Sequence, residues 1–188
     1  MYAVATRRLL DKLKDKVPGV KQVWYADDCT GAGRLRELHS WWKEIVEIGP
    51  TFGYYPKPDK SCVIVKTEEM VEQARQIFGD SVKVTCEGER HVRAALGTER
   101  FKREYVSGKV SKWVEDVKQL ADIASDQPQA ALSAYNTGMA HRWAFLQRTV
   151  GGISALFQPL EDVIRNSLIP SLCGRQVSDI ERRMLALP

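Results

Sequence analysis

The chain has 188 residues, 44% of them hydrophobic and 28% charged, which allows one compact core or a domain with an appendage and places it in the soluble globular class. No apolar run approaches the roughly 18 residues of a membrane span, and Met1-Tyr2-Ala3-Val4-Ala5-Thr6-Arg7-Arg8 lacks the charge-then-apolar order of a signal peptide, so an intracellular protein with no membrane partner is expected, nucleus or cytoplasm left open. Cys29, Cys62, Cys86 and Cys173 contain no C-x-x-C pair, which argues against a zinc ribbon or dithiol centre and for reduced thiols.

The net charge is +4 and unevenly spread: residues 1–24 hold six basic and two acidic side chains, while residues 25–98 hold ten and twelve. The surplus therefore lies at the start, with a smaller one at 99–150, and nucleic acid is a plausible partner beside the plainer reading of solvated helix faces.

Leu9, Leu10, Leu13 and Val17 recur at helical spacing among Arg7, Arg8, Lys12, Lys14 and Lys16, and Pro18-Gly19 stops the pattern. Val20 to Tyr25 is rich in aromatic and β-branched residues and predicts a strand. Asp27-Asp28 with Thr30-Gly31-Ala32-Gly33 then predicts a turn, which sets two like charges at a hairpin tip. Neighbouring carboxylates repel unless a cation lies between them, and hard oxygen ligands at a tight turn suit Mg²⁺, so metal-assisted phosphoryl transfer is the chemistry suggested. Gly31-Ala32-Gly33 is no dinucleotide fingerprint, because its third glycine position holds Arg36.

Leu35, Leu38, Trp42, Ile45 and Val46 form a second helical stripe that stops at Gly49-Pro50, with Trp41 and Trp42 read as core or rim. Gly53 to Lys60 is a proline-interrupted loop that leads into Ser61–Val65, expected as a buried strand. Thr67 is placed to cap a helix that carries Glu68 and Glu69 in its first turn and Met70, Val71, Ala74, Ile77 and Phe78 on its apolar side. Val82–Thr85 and His91–Gly97 are expected as the two strands of one hairpin, turning at Glu87-Gly88-Glu89. Val106, Val110, Trp113, Val117, Leu120 and Ala124 predict a long helix from Glu99. A second helix follows Pro128 with Ala130, Ala131, Ala134, Met139, Trp143 and Leu146 inward, antiparallel to the first, and beyond Gly151-Gly152 come short helices broken at Pro159, Pro170 and Gly174.

Tyr25-Ala26-Asp27-Asp28 resembles the catalytic hairpin motif of reverse transcriptases, and the order of elements about it carries the resemblance over residues 1–150: basic helix, Tyr-x-Asp-Asp hairpin, helix, lysine loop, strand, helix, β-hairpin, helical pair. The style is that of retrotransposon enzymes. The resemblance implies an α+β fold, with a partial polymerase palm of antiparallel strands and packed helices at 1–98, a helical thumb at 99–150 and a helical extension at 151–188. It implies Asp27 and Asp28 as catalytic ligands of Mg²⁺ or Mn²⁺ once the site is complete, and Tyr25 as support for the primer terminus. Lys60, with Lys57 as the alternate, would lie near the incoming nucleotide's phosphates, where a cation offsets charge on the leaving pyrophosphate. Leu96 and Gly97 would form the primer grip, although the family usually has Leu-Gly where this chain has Val92-Arg93. Lys102, Arg103, Lys109 and Lys112 would meet backbone phosphates.

The implied partners are an RNA template with a DNA primer or an RNA–DNA hybrid, and deoxynucleoside triphosphates in the full enzyme. The family draws a further catalytic Asp from a strand well upstream, and Asp11 and Asp15 lie in a helix instead, so this chain alone is expected to be inactive. The alternative is a non-catalytic nucleic-acid-binding or interaction module derived from a retroelement.

Overall fold

The computed structural model describes residues 2–185 and is a mixture of helices and small sheets in two compact units, Met1–Val92 and Arg93–Pro188. In the first unit, α1 (Tyr2–Lys16) ends where Pro18 removes a backbone donor; Leu9 and Leu13 on it, and Val17 just after it, are buried at helical spacing. Strands β1 (Lys21–Tyr25) and β2 (Asp28–Ala32) form an antiparallel hairpin, and α2 (Leu35–Ile48) packs on α1. Leu9, Leu13, Val17, Val20, Trp41 and Ile45 make the core between them. Trp41, not Trp42, is the buried indole, and Val46 is exposed; Leu35, Leu38 and Ile45 face inward as predicted, and Trp41 and Ile48 take the places expected for Trp42 and Val46.

The rest of the unit departs from the expected all-antiparallel sheet. Strand β3 (Cys62–Ile64) pairs in parallel with β4 (Lys83–Thr85), joined by α3 (Glu68–Phe78) as a crossover helix. Parallel strands require such a connection, and burying Val71 and Ala74 of α3 against Val63, Val65 and Val84 supplies the reason for it. The β3 segment is half-buried rather than buried, because only one face is covered. The 82–85 strand is thus not the partner of the 91–97 segment. The hairpin there is β5 (Gly88–His91) with β6 (Ala94–Gly97), turning at Val92-Arg93 rather than at Glu87-Gly88-Glu89. Thr67 stands before α3 without capping it; its hydroxyl bonds the Glu69 carboxylate and holds that acid below the usual carboxylate range.

In the second unit, α4 (Glu99–Asp126) is a 28-residue helix, capped by the Thr98 hydroxyl accepting from the Phe101 N–H at 3.2 Å. Val106, Val110, Trp113, Val117, Leu120 and Ala124 are all buried, as their spacing predicts. α5 (Pro128–Ala134) runs through a π turn at Tyr135–Met139 into α6 (Ala140–Thr149). Ala131, Met139 and Leu146 are buried, whereas Ala130 and Ala134, predicted inward, are exposed, because Ala131 is the residue α5 turns toward the core.

The C-terminal residues close the same core: Phe157 just before α7 (Gln158–Val163), Leu160 and Val163 on it, and Leu168 just before α8 (Ile169–Cys173) are buried in one cluster with α4. Neither proline breaks this run. Pro159 and Pro170 sit in first turns, where a missing N–H costs nothing, and the π turn Ile164–Leu168 precedes the second; Gly174 ends the run in the left-handed conformation. α9 (Asp179–Leu185) follows.

Candidate active-site hairpin and basic helix edge

Tyr25 faces Asp28 across the hairpin, leaving Ala26 and Asp27 as a two-residue turn. φ is +53° at Ala26 and not positive at Asp27, the φ pattern of a type II′ turn, whose twist matches that of the strands. Strand alternation then decides which side chains point where. Lys21, Val23 and Tyr25 lie on the exposed side, while Gln22 and Trp24 face the helices.

The inward side is tightly fixed. The Gln22 carboxamide oxygen accepts from Trp24 Nε1 at 3.1 Å and Trp41 Nε1 at 3.2 Å, and its Nε2 donates to the Leu10 carbonyl at 3.1 Å. One side chain therefore ties β1 to α1 and α2. Trp24 packs edge-on against Tyr54 at 5.0 Å, and the Tyr54 hydroxyl donates to Cys29 Sγ at 3.1 Å. Burial pushes the Cys29 thiol up, which keeps it protonated and inert beside Asp28.

At the tip, Asp27 and Asp28 are exposed, and neither carboxylate has a hydrogen bond or ion pair among the described residues. Two adjacent acceptors on a rigid base, both open to solvent, fit a hydrated hard cation that takes one or two protein carboxylates. No group of three or more His, Cys, Asp or Glu that could hold a metal ion occurs among the described residues. Tyr25 belongs to the same tip, 68% exposed and opposite Asp28.

Lys60 ends a 3₁₀ turn, Pro58–Lys60, that enters β3; its ammonium and that of Lys57 are exposed and have no ion pair among the described residues. Leu96 and Gly97 lie in β6 of the second unit, Leu96 42% exposed and flanked by buried Ala95. The basic residues of α4 differ among themselves. Lys102, Lys109 and Lys112 follow one another at helical spacing with Tyr105 and share an edge, whereas Arg103 projects about 100° away from Lys102. Lys102 pairs with Glu99 at 2.9 Å, and Lys109 lies over the Tyr105 ring at 5.7 Å. Arg103 and Lys112 are exposed with no ion pair among the described residues.

Four residues that sequence reasoning passed over take part in these arrangements. Gln22 could have been found, since it is the polar residue on the inward phase of an alternating strand. Tyr54, and the pair Thr30 and His91, with Thr30 Oγ1 and His91 Nε2 at 2.8 Å between β2 and β5, carry no sequence signal, because their partners are distant in the chain. Comparison of the chain with protein-family models, characterised proteins and solved structures yields no match.

Proposed function

We propose that this chain is the later palm and thumb portion of a retroelement RNA-directed DNA polymerase, contributing part of a two-metal nucleotidyl-transfer site and inactive alone. The observation that carries the reading is the exposed, unpartnered Asp27-Asp28 pair at a hairpin tip whose other face is locked to two helices through Gln22.

Asp27 and Asp28 would hold Mg²⁺ or Mn²⁺ together with an acid from another strand. The bound ions supply Lewis-acid stabilisation of the attacking and leaving oxygens. The chain's own contribution is placement: the Gln22 bonds and the Trp24–Tyr54 contact keep the tip in one geometry, so no reorganisation is required when charge develops. Tyr25, across from Asp28, would support the primer terminus. Lys60 would neutralise phosphate charge, and the Lys102–Lys112 edge of α4 would follow a nucleic-acid backbone.

Primer extension tests the reading. With an RNA template, DNA primer, deoxynucleoside triphosphates and Mg²⁺ or Mn²⁺, the chain alone is expected to incorporate nothing. Fused behind the fingers and first acidic palm strand of a retroelement polymerase, it is expected to incorporate in a manner lost in Asp28→Ala. Sustained synthesis by the chain alone, or synthesis by the fusion that survives Asp27→Asn with Asp28→Asn, would overturn it.

A further inference from the structure

The turn between β5 and β6 consists of Val92 and Arg93, with φ of +46° and +66°. Both positions of such a type I′ turn favour Asn, Asp or Gly, and a β-branched residue followed by Arg is among the poorer choices. Left-handed residues of this kind persist where their surroundings hold them, and they concentrate at binding sites. Here the holding contact is visible: the Tyr105 hydroxyl donates to the Arg93 carbonyl at 3.2 Å.

Tyr105 is also the centre of the α4 edge. Its ring stacks with Phe101 at 6.5 Å and 20°, and carries Lys109 over its face. Arg93 is therefore fixed to the hydroxyl end of the ring whose face bears one of the edge lysines. The Arg93 guanidinium is exposed and has no hydrogen bond or ion pair among the described residues, so its five donors are directed to solvent. From Lys102 to Lys112 the edge runs about 15 Å along the helix axis. That is the axial length of about four nucleotides of one strand, each rising 3.4 Å. The acids along this stretch already have basic partners: Glu99 pairs with Lys102 at 2.9 Å, Glu104 with Arg100 at 3.2 Å, Glu115 with Lys118 at 3.0 Å and Asp116 with Arg142 at 3.0 Å.

We propose that Arg93 is a phosphate-binding residue of a nucleic-acid interface in the second unit, its guanidinium presented by the left-handed turn that Tyr105 holds against α4. It extends the surface of Lys102, Lys109 and Lys112 by a planar, bidentate donor, which suits a phosphodiester better than a lysine does. The inference rests on the nucleic-acid part of the function proposed above.

The test is fluorescence anisotropy of a labelled RNA–DNA hybrid against the full chain across a salt series. Arg93→Gly removes the guanidinium while easing the turn, so loss of folding does not obscure the result. It is expected to raise the melting temperature, to weaken binding about three- to tenfold and to reduce the slope of log K against log salt by about 0.9. Arg93→Lys is expected to keep the slope while losing part of the affinity. Wild-type affinity and slope in Arg93→Gly overturn the proposal; if Lys112→Glu weakens binding in the same series, the nucleic-acid reading stands without Arg93. A chain that binds no hybrid overturns both.

Discussion

Gly31 lies directly against the face of Trp41: a Cβ at residue 31 would stand 2.7 Å from the indole Cζ3 and 2.9 Å from Cε3. Trp41 is 7% exposed, held by core contacts and by its bond to Gln22, and has no room to withdraw. The absence of a side chain in β2 is thus what lets the hairpin seat on α2. Gly31→Ala is expected to destabilise the chain by about 1–3 kcal/mol through overpacking. Urea unfolding measures this, and a wild-type midpoint would show that the indole yields freely.

Gln22 serves two indoles and a helix carbonyl with one amide. Gln22→Met preserves length and leaves the Trp24 and Trp41 N–H groups without an acceptor, at a cost of about 1–3 kcal/mol. Tryptophan emission is expected to change as well, since both fluorophores lose a polar partner. Gln22→Glu retains the acceptor and is expected to preserve the indole bonds while losing the one to Leu10.

Both hairpin turns carry residues poorly suited to their φ. Ala26→Gly, and Val92→Asn joined with Arg93→Gly, are expected to stabilise the chain by about 0.5–1 kcal/mol per position, the unfolded-state entropy of Gly taking back part of the relief. Thermal unfolding checks the sign, and a loss of stability in either would mean that the φ values belong to a different backbone state.

The C-terminal helix α9 has an acid limit. The Glu181 carboxylate accepts from Arg175 at 2.7 Å and from the Ser178 N–H and hydroxyl at 2.8 and 2.9 Å, which lower it from 4.5 to about 2. A lowered folded value stabilises above the unfolded value and is lost as pH falls toward the folded one. Protection of α9 amides from exchange is therefore expected to hold at neutral pH and to fall between about pH 4.5 and 2. Glu181→Gln is expected to lose that dependence.

How much of this was legible in the sequence depends on whether an element is decided locally. The α4 stripe from Val106 to Ala124 was, because one buried face of one helix dictates it. The hairpin at Asp27-Asp28 was legible in part: the strand before it was plain, but the turn is Ala26-Asp27, and Asp28 with Thr30, Gly31 and Ala32, expected as turn residues, forms β2 because each pairs across with β1. Strand partnering was not: Val82–Thr85 has the composition to pair with a neighbour in sequence, but burying α3 against Val63 and Val84 returns it to β3 instead. Nor does composition reveal the π turn that precedes Pro170, or that α5 turns Ala131 inward rather than Ala130 and Ala134. Of the candidate site residues, Tyr25, Asp27 and Asp28 meet at one tip. What the one-dimensional pattern lacked was the polar bracing beneath them, in which Gln22, Trp41 and Tyr54 converge from different elements.

Paramagnetic broadening by Mn²⁺ is the most direct measurement of the central claim, because it reads the two carboxylates without requiring turnover. Added in small amounts to the isotopically labelled chain, Mn²⁺ is predicted to broaden the amide signals of Ala26, Asp27, Asp28 and Cys29 first, and to lose that effect in Asp27→Asn with Asp28→Asn. Broadening centred elsewhere, or unchanged in the double variant, would contradict the assignment of this hairpin tip as a divalent-ion ligand pair.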